Sequence, residues 1–437
     1  MNDVIQQKTE ANKLRKSGQI KEALPLYREL WEKTSDEFDG AGLLHCLRRL
    51  KLYDEAIILA DNLLEKYPEF DWVRNEVIWT YIQGKLNLLN EDTPIQMVVY
   101  TADRIMSLQP DGIATKTVVF KVLKSAKSLS QWIVVNEWVT KVDPSTLNTN
   151  STVKDSDKQI WSDQSQWYNY RIRGLLEEHD TKEEVQEALS LSEKASQLFP
   201  RQSKFFIRLK ALAYSQLGSN TEAAEIYANL CRRPNTDWWL LHEYAKLLQT
   251  QDHQEDALKL MYQAADSNHK LESMVTLFLD IGLLCYEMKK NKEARDHLVL
   301  CRYIRENKGW SIPEQIVSTL NILKEFVDES GPSSQKEAYD ICRSEWSKLL
   351  HKEGLSQTSG NTRDVTKGLT GKVNSIRDDL PFCFIYTNDK QSFFCSKSEL
   401  PPNTSNGDDV IFNAIPSYDK KKGKDSWKAA NIRHTNV

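Results

Sequence analysis

Through residues 1–352 the apolar side chains recur three or four positions apart, as Val73, Val77 and Tyr81 do, which is the period of a helix with one buried face. One short string keeps returning within that pattern: a turn residue, then Glu-Ala or Lys-Glu-Ala, then alternating small and large apolar residues. It reads GQIKEALPLYREL at 18–30, YDEAIILADNLLEKYP at 53–68, QEALSLSEKASQLFP at 186–200, GSNTEAAEIYANL at 218–230, EDALKLMYQAA at 255–265 and KEARDHLVLC at 292–301. Ala23 and Ala56 lie 33 residues apart, and Ala188, Ala223, Ala257 and Ala294 follow at intervals of 35, 34 and 37. Two antiparallel helices approach closely only where a facing side chain is small, so a recurring alanine marks a recurring helix crossing. With only 16 glycines and 13 prolines, the latter closing segments at Pro68, Pro110, Pro144 and Pro200, the chain predicts long helices joined by short turns.

The pattern predicts helical repeats over 1–144, with two irregular ones at 71–106 and 113–142. A polar loop at 145–165 interrupts the array, further repeats fill 166–310, and two capping helices at 312–328 and 335–352 close it within 311–352. Residues 353–367 then read as a small, polar linker, and the period changes from helical to two. Short alternating runs at 369–376, 382–386, 392–395, 410–415 and 428–432, divided by Asn-, Asp-, Gly- and Pro-rich turns, predict a five-stranded antiparallel barrel over 368–437.

The spacing near 34, with Ala211, Tyr214, Gly218, Ala223, Tyr227, Leu230 and Pro234 in one unit and Tyr53, Ala56, Ala60, Leu63 and Pro68 in another, resembles the tetratricopeptide repeat. That resemblance implies an α-solenoid whose first helices line a concave face that grips a protein partner. Transferring the repeat register places Lys8, Asn12 and Arg15, then His45, Arg48 and Arg49, then Arg208, His242 and Lys246 on that face. Lys8 and Asn12 are spaced as in members that clamp a partner's C-terminal carboxylate, but Gly42 stands where a companion asparagine is expected. The alanines and aromatics inside the repeats read as packing.

Within the C-terminal segment, GKVNSIRDDLPFCFI, QSFFCSKSEL, GDDVIFNAI and KAANIR in succession resemble a cold-shock domain, a barrel of the oligonucleotide-binding type. The resemblance implies that Phe382, Phe384 and Phe393 stack on bases of single-stranded RNA or DNA, with Lys372 and the loop lysines Lys420, Lys421, Lys422 and Lys424 beside them. Phe382 and Phe384 are two apart and so share one side of a strand. The chain departs from the family at Ser375 and Ile376, where aromatics are usual, and at Cys395 and Ser396, where a histidine and an aromatic are usual.

Charge and composition narrow the reading. Residues 367–437 hold 11 Lys plus Arg against 8 Asp plus Glu, net +3, while the rest is net −7 with 47 against 54, so a basic segment follows an acidic one. No apolar run approaches the roughly 20 residues of a membrane span. The charged start MNDVIQQKTEANKLRK does not read as a signal peptide, and the seven dispersed cysteines form no CxxC pair, so the expectation is a cytoplasmic chain with reduced thiols. There is no phosphate loop, HExxH, GxSxG or Cys–His spacing for a metal, and His242, His253, His269, His297 and His351 have no partners in sequence. The expectation is a non-catalytic adaptor with no cofactor and no metal, holding a protein partner in the solenoid and single-stranded nucleic acid on the barrel. The alternatives are a protein-only scaffold or regulatory sensor with a degenerate barrel, and a non-catalytic subunit of an enzyme that acts on nucleic acid.

Overall fold

The structure, a computed structural model, describes residues 2–150, 152–153, 159–232, 236–268, 270–327, 331–352, 366–377, 380–387, 391–402, 404–419 and 424–435. The chain divides into two compact units, Met1–Arg232 and Arg233–Val437. Among the described residues no helix is long and apolar enough to cross a membrane.

The first unit is an array of helix pairs. It runs α1 (Asn2–Lys16), α2 (Ile20–Thr34), α3 (Glu37–Arg49), α4 (Tyr53–Lys66), α5 (Asp71–Gly84), α6 (Ile95–Met106), α7 (Gly112–Ser128) and α8 (Trp132–Val139). After a short ladder of β1 (Thr152–Val153) and β2 (Gln159–Ile160) come α9 (Asp163–Glu177), α10 (Lys182–Leu198), α11 (Ser203–Gln216) and α12 (Asn220–Cys231). The Ser162 side chain accepts from the Ser165 amide at 3.1 Å and so opens α9 inside the segment expected to be a loop, which shortens that loop at its far end.

The second unit continues with α13 (Trp238–Thr250), α14 (Gln254–Asp266), α15 (Val275–Glu287), α16 (Asn291–Lys308), α17 (Glu314–Leu323) and α18 (Gln335–Lys352). The last two are the expected pair, and α18 packs on α14 and α16 with Trp346 fully buried.

One turn recurs within the pairs of both units. A left-handed residue, namely Gly18, Lys51, Ser130, Gly218, Asp252 or Lys289, ends the first helix, and the next amide bonds back to the carbonyl five residues earlier, as Gln19 does to Leu14 and Lys290 to Cys285. Five residues after each left-handed position stands the crossing residue, fully buried in every case: Ala23, Ala56, Val135, Ala223, Ala257 and Ala294. Val135 takes the alanine's place in α8, and the facing helix α9 makes room with Gly174, where a Cβ would lie 3.3 Å from Val135 Cγ1 and 2.3 Å from Asn136 Oδ1. That exchange hides the repeat from a search for alanines.

The second unit also holds a closed barrel of β3 (Thr366–Asn374), β4 (Phe382–Tyr386), β5 (Ser392–Ser396), β6 (Asp409–Asp419) and β7 (Lys424–His434), in the ring order β3-β4-β5-β7-β6. Four neighbouring pairs are antiparallel as expected, and β5 with β7 is parallel. A ring with an odd number of strands cannot alternate direction all the way round, so one parallel pairing is required for closure. Its core is Val373, Cys383, Ile385, Phe393, Cys395, Val410, Phe412, Ala414, Ala429 and Ile432.

Candidate functional site

The charged residues expected on the first helices lie there, but most are engaged with the next repeat. Lys8 on α1 pairs with Asp36 and, at 2.8 Å, with buried Asp39 at the start of α3. Burial works against its ammonium, yet the two carboxylates outweigh it and hold the pKa above the usual lysine value. Arg15 donates to Asn12 Oδ1 at 2.9 Å and to Tyr27 Oη at 3.3 Å, and lies 4.7 Å over the Trp72 ring. On α3, His45 Nδ1 lies 2.8 Å from Glu76 Oε1 and Arg48 donates to Glu76 Oε2 at 2.8 and 3.0 Å, so α3 is stapled to α5. Burial would push the Glu76 carboxyl up, but His45 and Arg48 outweigh it and hold it below the usual range.

In the second unit His242 and Lys246 of α13 reach Asp280 of α15 at 2.8 and 3.2 Å in the same way. Lys8 and Asn12, spaced as in a carboxylate clamp, both have intramolecular partners here, and at Gly42, where the companion asparagine is missing, the Tyr27 ring occupies the space of any Cβ, 2.1 Å away. Arg49 is exposed and has no ion pair among the described residues.

Arg208 belongs to a different setting. It lines a groove of about 440 Å³ across α7, α9 and α11, together with Lys127, Asn169, Tyr170, Arg173 and Phe205, and no aspartate or glutamate lines it. Lys127 lies 5.8 Å over Tyr170 and Arg173 lies 4.6 Å over Trp132. Burial, helped by the nearby Arg173 charge, lowers the pKa of Lys127. Sequence reading found only Arg208 here, because the repeat signal fades between Ala56 and Ala188.

On the barrel, strand pairing decides which phenylalanines face out. Phe384 stands opposite Phe394, and Cys383 opposite Cys395. The cysteines, Ile385 and Phe393 point inward, while Phe382, Phe384 and Phe394 point outward. Phe393 is thus corrected from a stacking residue to a core residue, 3% exposed and 5.0 Å from the Phe412 ring. Its neighbour Phe394, 37% exposed, takes its place in an outward triad with ring centroids 5.5, 5.9 and 6.3 Å apart.

Cations flank the triad. Lys372 is opposite Tyr386 on the next strand and bonds Asp409 at 2.8 Å, while Lys428 is opposite Phe394 and bonds Glu399. Ser375, with φ of 63°, has already left the β conformation. Lys420, Lys421 and Lys422 lie outside the described residues; Lys424 opens β7.

One cluster had no signal in the sequence. His297 on α16 and Cys342 and Glu345 on α18 bring potential metal-ligand atoms within 4.8 Å of one another. The imidazole does not fit a metal. Trp346 Nε1 can only donate, and it does so to His297 Nε2 at 2.7 Å, so the ring proton sits on Nδ1 and is donated to the Glu293 carbonyl at 2.8 Å, leaving no lone pair. Burial holds this histidine neutral with its pKa at about 4. Burial and the neighbouring Asp296 and Glu293 push Glu345 up to about 8.

A family model described as a domain of unknown function, DUF7017, matches residues 204–344, about a third of the chain, from α11 into α18. No curated protein matches the chain. Among solved structures, the apo form of the quorum sensor NprR from B. thuringiensis is similar at a TM-score of 0.42 and 13% identity, over 74% of this chain and 89% of that one. A tetratricopeptide repeat protein from Parabacteroides merdae is similar at a TM-score of 0.30 and 11% identity, over 65% and 99%.

Proposed function

We propose that the protein is a non-catalytic adaptor: the helical array holds a protein partner, and the barrel, read as a cold-shock-like domain of the oligonucleotide-binding type, binds single-stranded RNA or DNA. The observation that carries the second half is the outward triad of Phe382, Phe384 and Phe394 on a rigid two-strand platform. Clustered phenylalanines left in water on a sheet that buries its other face are a cost to solubility, and base stacking recovers roughly 1–3 kcal/mol per ring. Lys372 and Lys428 flank this face, and Lys372 can exchange its exposed Asp409 partner for a phosphate because such a pair is worth only about 0–1 kcal/mol, whereas the Lys428–Glu399 pair is partly buried.

Those same two ion pairs favour a second reading, in which the face is neutral overall and docks a protein. Fluorescence anisotropy of labelled single-stranded oligonucleotides with the full chain separates the two. In the adaptor reading, binding weakens with salt and falls by at least about tenfold in the F382A/F384A/F394A variant. Absence of binding at low salt, or affinity unchanged in the variant, rejects it.

A further inference from the structure

The groove across α7, α9 and α11 differs from the rest of the first-helix surface described above. Elsewhere a cation on one first helix meets a carboxylate on the next, as Lys8 meets Asp39, Arg48 meets Glu76 and His242 meets Asp280. Here Lys127 on α7 meets Arg173 on α9 instead, and the lining holds no acid. Among the described residues Lys127 has no ion pair and is half-buried against Tyr170, a placement that costs desolvation with no counter-charge among those residues to offset it. Among the described residues Arg173 pairs with Glu177, a turn further along the same helix at 3.3 Å, a surface pair that a ligand can displace.

We propose that this groove binds an acidic peptide segment of a partner protein, its carboxylates meeting Lys127 and Arg173 and its backbone meeting the Asn169 amide, which makes no side-chain hydrogen bond among the described residues. The choice of a peptide over a nucleic acid follows from the rings. Tyr170 is only 8% exposed, faces Lys127 and packs edge-on with Phe120 at 6.2 Å, so it offers no open stacking face, and the 38% exposed Phe205 stands apart from any exposed cluster of rings such as the barrel's. The inference rests on the reading of the array as a protein-binding scaffold and names the chemistry of what it holds. It is independent of the barrel.

The test is fluorescence anisotropy of a fluorescein-labelled octaglutamate peptide with the full chain at low salt, beside an octaglutamine peptide and a uridine octamer. The expected result is binding of octaglutamate alone at this site, weakened at least about tenfold in the K127Q/R173Q variant and retained in Lys127→Arg and in the barrel variant F382A/F384A/F394A. Circular dichroism melting checks that the variants fold; should the double variant unfold, Asn169→Ala and the charge reversal Arg173→Glu give the same reading. Failure of octaglutamate to bind, equal affinity in folded groove variants, or a uridine octamer whose binding is lost with Lys127 and Arg173 would overturn the proposal. None of these outcomes depends on whether the phenylalanine platform binds oligonucleotides, so the two readings fail separately.

Discussion

The first helices of the array and the outer face of the barrel both carry the residues from which a binding role is read, yet the fold treats the two sets differently. In the array, His45, Arg48, His242 and Lys246 meet a carboxylate one repeat further on, so side chains read as partner-facing also join successive repeats. On the barrel, the ring contacts of Phe382, Phe384 and Phe394 among the described residues are with one another. A side chain's type says what it can bind, but only what stands opposite it decides whether it is available.

The sharpest way to break the contrast uses two adjacent residues. Phe393→Ala removes a core ring and should destabilise the barrel by about 3–5 kcal/mol, whereas Phe394→Ala should leave its melting nearly unchanged. Hydrogen exchange of the barrel strands in the full chain measures both. If the two substitutions destabilise equally, the assignment of inside and outside is wrong.

Next in size is the array's staple. Glu76→Gln leaves Arg48, with a side chain 10% exposed, without its carboxylate, and should cost about 3–5 kcal/mol in denaturant unfolding. A loss below about 1 kcal/mol would mean that His45 and Arg48 are free for a partner after all.

The buried carboxyl gives a pH dependence of known sign. Glu345 keeps its proton in the fold up to about pH 8, while in the unfolded chain it releases it near the ordinary 4.5, so folding becomes less favourable as pH rises through that window. His297 acts in the opposite sense between about 4 and 6.5, where the unfolded chain takes up a proton that the fold excludes. From pH 6.5 to 8 Glu345 therefore acts without that opposition, and the stability of the second unit should fall by about 1.4 kcal/mol per pH unit at most. Denaturation across that range should show the slope in the natural protein and its loss in Glu345→Gln.

The smallest effect is expected at Lys372, whose pair with Asp409 is exposed. Replacement by Met should leave folding intact and reduce the salt slope of oligonucleotide binding by about 0.7–0.9, the share of one phosphate contact on a single strand or duplex.

How much of this was legible in the sequence follows from distance along the chain. The helix pairs were visible because alanine recurs at their crossings and because Gly18 and Gly218 mark two of the six recurring turns. At Lys51, Ser130, Asp252 and Lys289 the same left-handed turn is made by residues with no such signature. The pair of α7 and α8 was obscured by Val135, whose compensating Gly174 lies on another helix. Ion partners such as His45 with Glu76, 31 positions apart, leave no local pattern, and neither does the Trp346 indole that closes His297, 49 positions away.

On the barrel the strands followed from alternation, but β5 carries two adjacent phenylalanines. Alternation alone cannot say which is inside. Pairing of Cys383 with Cys395 decides it, and that register comes from the sheet.

The central claim, that the array's charges are largely engaged while the barrel's rings are available, is tested most directly by ultraviolet crosslinking of a uridine-rich single strand to the full chain, with the crosslinked peptides mapped by mass spectrometry. The account predicts crosslinks at Phe382, Phe384 and Phe394 and none on α1, α3 or α13. Crosslinks concentrated on those first helices, with the phenylalanine peptides unmodified, would contradict it.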